Sequence, residues 1–510
     1  MNNKKILAVL LILVAVCFAV RLFNFVGIGT NDDVTYIHNA RSLAGGNFQQ
    51  IQTQIGFRSG MVLPLAVLYK IFGMNEAAFA VYPIICSLLT CTFVFLTALN
   101  LWGLAPAIFA SLLWIVYPLQ IVFDTQLSPS NQQATCVAAA LFFYFHAAKN
   151  KLFDSKLPEI TGWHRPALLV LGGMFLGYAW LANEIFVTFV FVVLPFLFLI
   201  RPKIKDLLWI TAGFAIVFFI EIMVLKIVTG SWFARFKCIL DTERVITSNK
   251  ERSYLPRTLF KVFGVVPLYE EGHFGIIWYL FIIVTIFTFF MKDKLPLALA
   301  LGCWLWLAYI QWGIQSPEGT PIARYIRYIS MIVPLQCLVF AAVFGKFLKV
   351  SKKFSPLVII IFALLAVNLY WYGTKAVRQI KIHTEDYKII AEILLDLKLE
   401  KDEIVYTDFL SGDFIEVYTK EKVKFLMGTI TDKNVMTDMP EPQRGILLYN
   451  GSRAAFELEP FRNTMPQWYL NPPEHWEIIA VVRGRDMDIY QNFDPVIYRI
   501  LPDESKGDSN

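Results

Sequence analysis

The sequence predicts a polytopic α-helical membrane protein of about eleven transmembrane helices, followed by a C-terminal extracytoplasmic α/β domain. Three observations carry this reading. Of 510 residues, 56% are hydrophobic and 17% charged, with a mean hydropathy of +0.54, which is more apolar surface than a water-soluble chain can bury. The apolar residues gather into runs of ~20, the length a helix needs to cross a hydrocarbon core of ~30 Å. The charge also divides along the chain: residues 1–373 hold 29 Lys and Arg against 16 Asp and Glu, whereas residues 374–510 hold 17 against 24. These features exclude a soluble enzyme, a disordered scaffold and a single-anchor receptor. They argue against a nucleic-acid partner, because the basic excess is dispersed among spans rather than gathered on one folded face.

The eleven runs are 6–23, 79–101, 104–123, 131–148, 166–182, 184–200, 207–229, 274–291, 295–313, 325–345 and 354–373. The first follows Lys4 and Lys5 like a signal peptide, but Arg21-Leu-Phe-Asn is a poor cleavage site, so it reads as an uncleaved span. Lysine and arginine alternate between the two sides. Fifteen (Lys4, Lys5, Lys149, Lys151, Lys156, Arg165, Arg201, Lys203, Lys205, Lys292, Lys294, Lys346, Lys349, Lys352, Lys353) fall on the side of the N-terminus, and five (Arg41, Arg58, Lys70, Arg324, Arg327) in the shorter opposite segments. The positive-inside rule then expects a cytoplasmic N-terminus and an extracytoplasmic C-terminal domain. Six of the seven cysteines lie in apolar runs, and Cys238 stands alone in a polar loop, so neither a disulfide framework nor a Cys-x-x-Cys metal site is expected.

The expected domains are thus a membrane domain, 1–373, and a soluble domain, 374–510. Three outer segments are too long to be connectors: 24–78, 230–273 and the tail. Within the tail, Glu385–Leu399 has helical periodicity, and strands are expected at Glu403–Thr407, Lys422–Leu426, Gly445–Tyr449 and Trp476–Val482. Residues Asp503–Asn510 read as a disordered end.

Loop 24–78 concentrates the polar chemistry. Asp32 and Asp33 open a helical stretch that includes Tyr36 and His38, and adjacent carboxylates at a bilayer edge are costly unless solvated, paired or used. They also suit a helix cap, a structural role compatible with catalysis. Phe57-Arg58-Ser-Gly leads into the apolar segment Met61–Gly73, which Pro64 interrupts and which suits a helix in the membrane interface. Elsewhere, Asp124 ends the third run, Glu184 lies between the fifth and sixth, and Glu221 and Lys226 fall inside the seventh, where a charge is expensive unless it faces a polar cavity.

Taken in order, these residues resemble the polyprenyl-phosphate-sugar-dependent GT-C glycosyltransferases, particularly the protein O-mannosyltransferase and aminoarabinose transferase branch. The resemblance rests on Asp32-Asp33-x-x-Tyr36, the Leu-Pro-Leu…Ile-Phe-Gly73 segment, Gly172-Gly-Met-Phe-Leu-Gly177…Asn183-Glu184, Thr229-Gly-Ser-Trp-Phe-Ala-Arg235, and Ala323-Arg324-Tyr325 with Pro334. Asp33 stands where Glu is commoner, Pro64 where a Pro pair is usual, and Arg58 close to where Lys is common. The resemblance implies a GT-C fold and transfer of a monosaccharide from a polyprenyl-phosphate donor to a glycan, lipid or protein acceptor on the outer face, with inversion.

Such a reaction needs a base near the acceptor and cations near the departing phosphate. Asp32 is the expected base, with Asp33 orienting the acceptor or a metal and Asp124 as the second acidic position. Arg58, Arg324, Arg327, Tyr325 and Arg257 are the expected phosphate ligands, since the guanidinium fork suits phosphate. Tyr36, His38, Glu184 and Glu221 are expected to line the cavity, and loop 230–273 to cover it. Asp32, Asp33 and His38 make a weak metal-ligand set, so no metal or other cofactor is expected. Two alternatives stay open: a polysaccharide polymerase or ligase using diphosphate-linked oligosaccharides, and a flippase or transporter of lipid-linked sugar.

Overall fold

A computed structural model describes residues 3–28, 31–47, 54–152, 163–248, 276–312, 326–350, 355–397, 399–400, 403–428, 441–449, 466–482 and 495–501. They form two compact units. One comprises Met1–Gly27, Tyr36–Lys70 and Phe79–Val377; the other comprises Ile28–Thr35, Ile71–Ala78 and Arg378–Asn510.

The first unit is a helical bundle, and the described part of each expected apolar run is largely helical. In chain order the helices are α1 (Asn3–Phe23), α2 (Asn31–Ala44), α3 (Ser59–Phe72), α4 (Glu76–Trp102), α5 (Leu104–Val116), α6 (Pro118–Phe123), α7 (Pro129–Leu152), α8 (His164–Ala182), α9 (Val190–Ile200), α10 (Ile204–Thr229), α11 (Ala234–Ser248), α12 (Ile277–Phe289), α13 (Leu295–Trp312), α14 (Val333–Val350) and α15 (Ser355–Asp396). Short 3-10 turns at Glu184–Phe189 and Ile326–Ile332 precede α9 and α14. Among the described residues, six helical stretches are long and apolar enough to cross a membrane: α1, α4, α8, α10, Ile329–Leu348 and Ile359–Arg378. The remaining apolar helices are shorter or, like α7, more polar at one end. Trp114, Trp306, Phe95 and Phe145 are fully enclosed in the core. The apolar side chains Phe219, Ile220, Met223 and Ile227 of α10 remain more than half exposed, as lipid-facing residues do.

Two local departures from the expected spans have backbone causes. The run 104–123 is broken, because Pro118 disfavours helical backbone at the residue before it and Tyr117 takes φ −62°, ψ 120°. In α3 the helix passes through Pro64, which has no N–H for the Gly60 carbonyl one turn earlier. That carbonyl instead accepts hydroxyls from Tyr82 (3.0 Å) and Tyr178 (3.2 Å). A row of exposed apolar side chains, Leu63, Val67 and Ile71, runs along one side of α3.

Close packing of α8 on α10 depends on glycine. A Cβ at Gly173 would lie 2.0 Å from the Ile210 carbonyl oxygen, and one at Gly213 would lie 2.0 Å from that of Val170. Small residues at such crossings let two backbones approach without side chains between them.

The second unit contains a five-stranded sheet with order β2-β1-β3-β5-β4. Its strands are β1 (Ile404–Asp408), β2 (Lys424–Gly428), β3 (Gly445–Tyr449), β4 (Glu477–Val481) and β5 (Val496–Ile500). β1 runs parallel to β2 and β3, whereas β5 is antiparallel to both β3 and β4. The four expected strands are present, and β5 and the helix α16 (Phe409–Thr419) are additions that periodicity did not suggest. The expected break between a last span and a tail helix is absent: α15 is one 42-residue helix, about 63 Å long at the ordinary rise. The expected disordered end, Asp503–Asn510, lies outside the described residues.

Candidate functional site

Three networks of polar side chains occupy the positions singled out by sequence. The first is centred on Glu184. The Asn183 side chain accepts the Ile185 amide at 3.0 Å and caps the 3-10 turn, which presents Glu184 as its first residue. Gln133 holds the preceding helix end, its amide donating to the carbonyls of Ala179 (3.3 Å) and Asn183 (3.0 Å). Arg58 then grips Glu184 along one edge of its guanidinium, Nη2 to Oε1 at 2.8 Å and Nε to Oε2 at 3.3 Å, while its Nη1 donates to the Tyr36 hydroxyl at 2.7 Å. Gln54 adds a donor to Oε1 at 2.6 Å.

Arg235 extends this network. Its Nη2 lies 3.4 Å from Glu184 Oε2 and donates to the Trp180 carbonyl at 2.9 Å, and its Nη1 pairs with Glu221 Oε1. Its guanidinium carbon sits 4.7 Å from the centre of the Trp180 ring, whose indole N–H donates to Glu221 Oε2 at 2.7 Å. Two arginines and two glutamates therefore balance charge in a site where Arg58, Arg235 and Glu221 are each less than 9% exposed. The charge of Glu221 is matched by Arg235, which offsets part of the cost of placing it inside a membrane helix. Lys226 is not its partner. It lies in the last turn of α10, donates to the Gly230 carbonyl at 2.7 Å and is exposed, a placement that suits the negative end of a helix.

Sequence reasoning placed Arg235 in a family-like motif but gave it no partner. The signal was Gly230. With φ 74° it ends α10 in the left-handed region and turns the chain, so that α11 packs against α10 and Arg235 returns to Glu221 fourteen residues earlier.

The second network is built around Asp124. This carboxylate is fully buried, and its partner is Arg21, also fully buried, with Nη2 and Nε both 2.8 Å from Oδ2. The break at Pro118 explains why a cation belongs there, because proline has no N–H for Trp114 O, which takes a long 3.4 Å bond from the Tyr117 amide instead. Arg21 caps this end of α5, Nη1 to Ile115 O at 2.8 Å and Nη2 to Trp114 O at 3.3 Å, and Ser87 bridges to Asp124 Oδ2. With no exposed surface, Asp124 is the counter-ion of the arginine that caps this helix end.

The third network lies in the second unit. Asp32 and Asp33 occupy the first turn of α2, where carboxylates are favoured by the free amides. Asp33 is 2% exposed and Asp32 half-buried. Asp32 and Tyr36 are four residues apart and so share a helical face. Nearby in the same unit, Glu76 accepts the Ile28 amide at 3.2 Å and pairs with Lys388 at 3.0 Å. The Tyr418 hydroxyl lies 3.3 Å from the Ile28 carbonyl and 3.4 Å from Glu76 Oε1. Burial, and then the Glu76 and Asp33 carboxylates, hold the Tyr418 phenol far above the ordinary tyrosine range, so it stays a donor.

His38 is half-buried on α2. Arg257, Arg324 and Tyr325 lie outside the described residues, as does loop 230–273 beyond Ser248; Arg327 lies in the 3-10 turn Ile326–Ile332, its side chain outside the described set.

No protein-family model matches the chain, and no curated protein does. Solved structures do. Over 96% of this chain and 97% of the other, it superposes on ArnT from Cupriavidus metallidurans in the apo state, with TM-score 0.59 and 14% identity. The same protein bound to undecaprenyl phosphate gives TM-score 0.56 and 12% identity over 98% and 99% of the two chains. An oligosaccharyltransferase from Archaeoglobus fulgidus tethered with an acceptor peptide gives 0.52 and 12% over 88% and 70%. At these identities the likeness is one of fold, and the chain is a multi-pass membrane protein with the GT-C fold.

Proposed function

We propose that this chain is a GT-C glycosyltransferase that moves a monosaccharide from a polyprenyl-phosphate donor to a glycan, lipid or protein acceptor on the outer face of the membrane, with inversion and without a metal or other cofactor. The observation that carries the reading is the acidic pair Asp32 and Asp33 in the first turn of α2, directly after the first membrane helix of a chain with this fold. A lipid-phosphate partner is supported by the ArnT structure that holds undecaprenyl phosphate.

In this reading an acceptor hydroxyl or amine attacks the anomeric carbon as the carbon–oxygen bond to phosphate breaks. Asp32 takes the acceptor proton, and polyprenyl phosphate leaves with the bonding pair. Asp33 orients the acceptor. Arg58, Arg257, Arg324, Arg327 and Tyr325 stabilise the charge that builds on the phosphate, worth several kcal/mol in a water-poor site, on the order of one lost oxyanion donor. Arg58 enters this set with its charge already balanced by Glu184.

The test uses purified protein and a panel of hexoses and pentoses on polyprenyl monophosphate or diphosphate. Sugar transfer from a monophosphate donor, lost in Asp32→Asn, is expected. Asp32→Asn transferring at the normal rate removes the proposed base, and activity confined to diphosphate donors moves the chain to the polymerase or ligase class.

A further inference from the structure

Resting on the reading that Asp32 and Asp33 carry the chemistry, we propose that Glu76, Tyr418 and Lys388 are positioning residues: a clamp through which the C-terminal unit fixes the entry of α2 and hence the placement of its acidic first turn. Ile28 lies in the irregular segment between α1 and α2, where no helix or strand partner is available to its backbone. Buried backbone groups of that kind must be satisfied by something else. Ile28 is 2% exposed, so water does not serve, and both of its backbone groups are met by side chains: its amide by Glu76 at 3.2 Å and its carbonyl by Tyr418 at 3.3 Å.

Those two side chains are themselves held. Lys388 of α15 pairs with the second oxygen of Glu76 at 3.0 Å, and its ammonium stands 5.2 Å from the centre of the Tyr418 ring. Tyr387 of α15 stacks on Phe414 of α16 with centroids 4.8 Å apart and planes within 6°, which sets the two helices of the tail that carry Lys388 and Tyr418. Four residues separate Ile28 from Asp32, a reach of at most about 14 Å, so a displacement at Ile28 has little chain in which to be absorbed. At the clamp Glu76 accepts the amide, Tyr418 donates to the carbonyl, and Lys388 holds the Glu76 side chain in place.

The experiment combines turnover, using a hexose on polyprenyl monophosphate, with amide hydrogen exchange of peptides covering residues 24–36 in full-length protein. Tyr418→Phe keeps the ring beneath Lys388 and removes only the hydroxyl. It should lower kcat about ten- to a hundredfold, the usual cost of a small misplacement, with donor KM changed less than about twofold, and it should speed exchange in 24–36. Glu76→Ala should do the same. Glu76→Gln keeps an acceptor for the Ile28 amide but loses the ion pair with Lys388, so it should fall between the parent and Glu76→Ala in both readouts. In an Asp32→Asn background, Tyr418→Phe should cost nothing further, because there is no base left to place. Parent-like kcat and exchange in Tyr418→Phe and Glu76→Ala would overturn the clamp, as would a fall in rate without faster exchange. If Asp32→Asn keeps full activity, the acid-pair reading fails by itself, and the exchange arm still decides whether the C-terminal unit holds this segment.

Discussion

Replacing Arg21→Met tests whether the second network is structural. The change keeps the aliphatic stem of a fully buried side chain and removes the guanidinium from one carboxylate and two carbonyls. Stranding Asp124 as an unpaired buried charge costs about 3–5 kcal/mol. Loss of the 2.8 Å bond to Ile115 O adds about 1 kcal/mol, because a carbonyl at a proline-broken helix end has no amide to turn to. A variant weakened by roughly 4–6 kcal/mol on these grounds should unfold well below the parent in an SDS titration of mixed detergent micelles. Adding Asp124→Asn removes the stranded charge and should restore about 2–3 kcal/mol, the upper range of coupling between contacting residues. Sugar transfer in the double variant should return with stability. The reasoning is refuted if the double variant is no more stable than the single one. It is equally refuted if Asp124→Asn alone is fully stable yet inactive, since Asp124 would then be a catalytic acid and not the counter-ion of a cap.

Two further substitutions test the first network and its scaffold. Arg235→Met leaves Glu184 and Glu221 with only Arg58 between them, so it should destabilise by about 3–5 kcal/mol, and Glu221→Gln in the same chain should recover a good part of that in thermal unfolding. Gly173→Ala puts a methyl 2.0 Å from the Ile210 carbonyl oxygen, forcing α8 from α10 at a cost of about 1–3 kcal/mol or more. Gly45→Ala, whose added carbon would meet nothing closer than 3.5 Å, should leave the melting temperature almost unchanged.

The membrane architecture was legible because hydropathy reports burial in lipid directly, residue by residue. Helix ends were less so. Tyr117–Pro118 breaks a run that is apolar throughout, and α15 continues through residues 373–385, where the loss of apolar character marks the end of lipid rather than the end of the helix. The acids were found, but their partners were not: nothing in the spacing of Arg21 and Asp124, or of Arg58 and Glu184, 126 residues apart, says that they meet. Pairing of that kind is set by how helices pack, which a single sequence does not encode locally. In the sequence Arg21 marks only a poor cleavage site, and Glu76, Lys388 and Tyr418 carry no signal, because each is an ordinary surface-type residue until its neighbours are placed.

Charge balance around Glu184 leads to a prediction whose sign runs against intuition. An anionic lipid phosphate is drawn to net positive charge, yet Arg58 and Arg235 are matched one for one by Glu184 and Glu221. The described cluster is therefore close to neutral overall while it holds Tyr36 and the start of α3, and the pull of Arg58 on an anion strengthens when a carboxylate is withdrawn. Glu184→Gln does this while keeping an acceptor oxygen for Arg58 and for Gln54. It leaves one uncompensated positive charge, worth at most about 4 kcal/mol toward an anion at 4 Å in a protein of ordinary effective dielectric. With screening at a site where the Glu184 side chain is 15% exposed, binding of undecaprenyl phosphate to the detergent-solubilised protein should tighten by about three- to thirtyfold, or roughly 0.7–2 kcal/mol. Added salt should erode the gain. Turnover should fall at the same time, because a guanidinium no longer anchored to a carboxylate loses its fixed direction and releases the Tyr36 hydroxyl bonded to it at 2.7 Å. Unchanged or weaker binding would mean that the phosphate never comes within reach of Arg58, and the cations that hold it would then have to be sought among Arg257, Arg324 and Arg327.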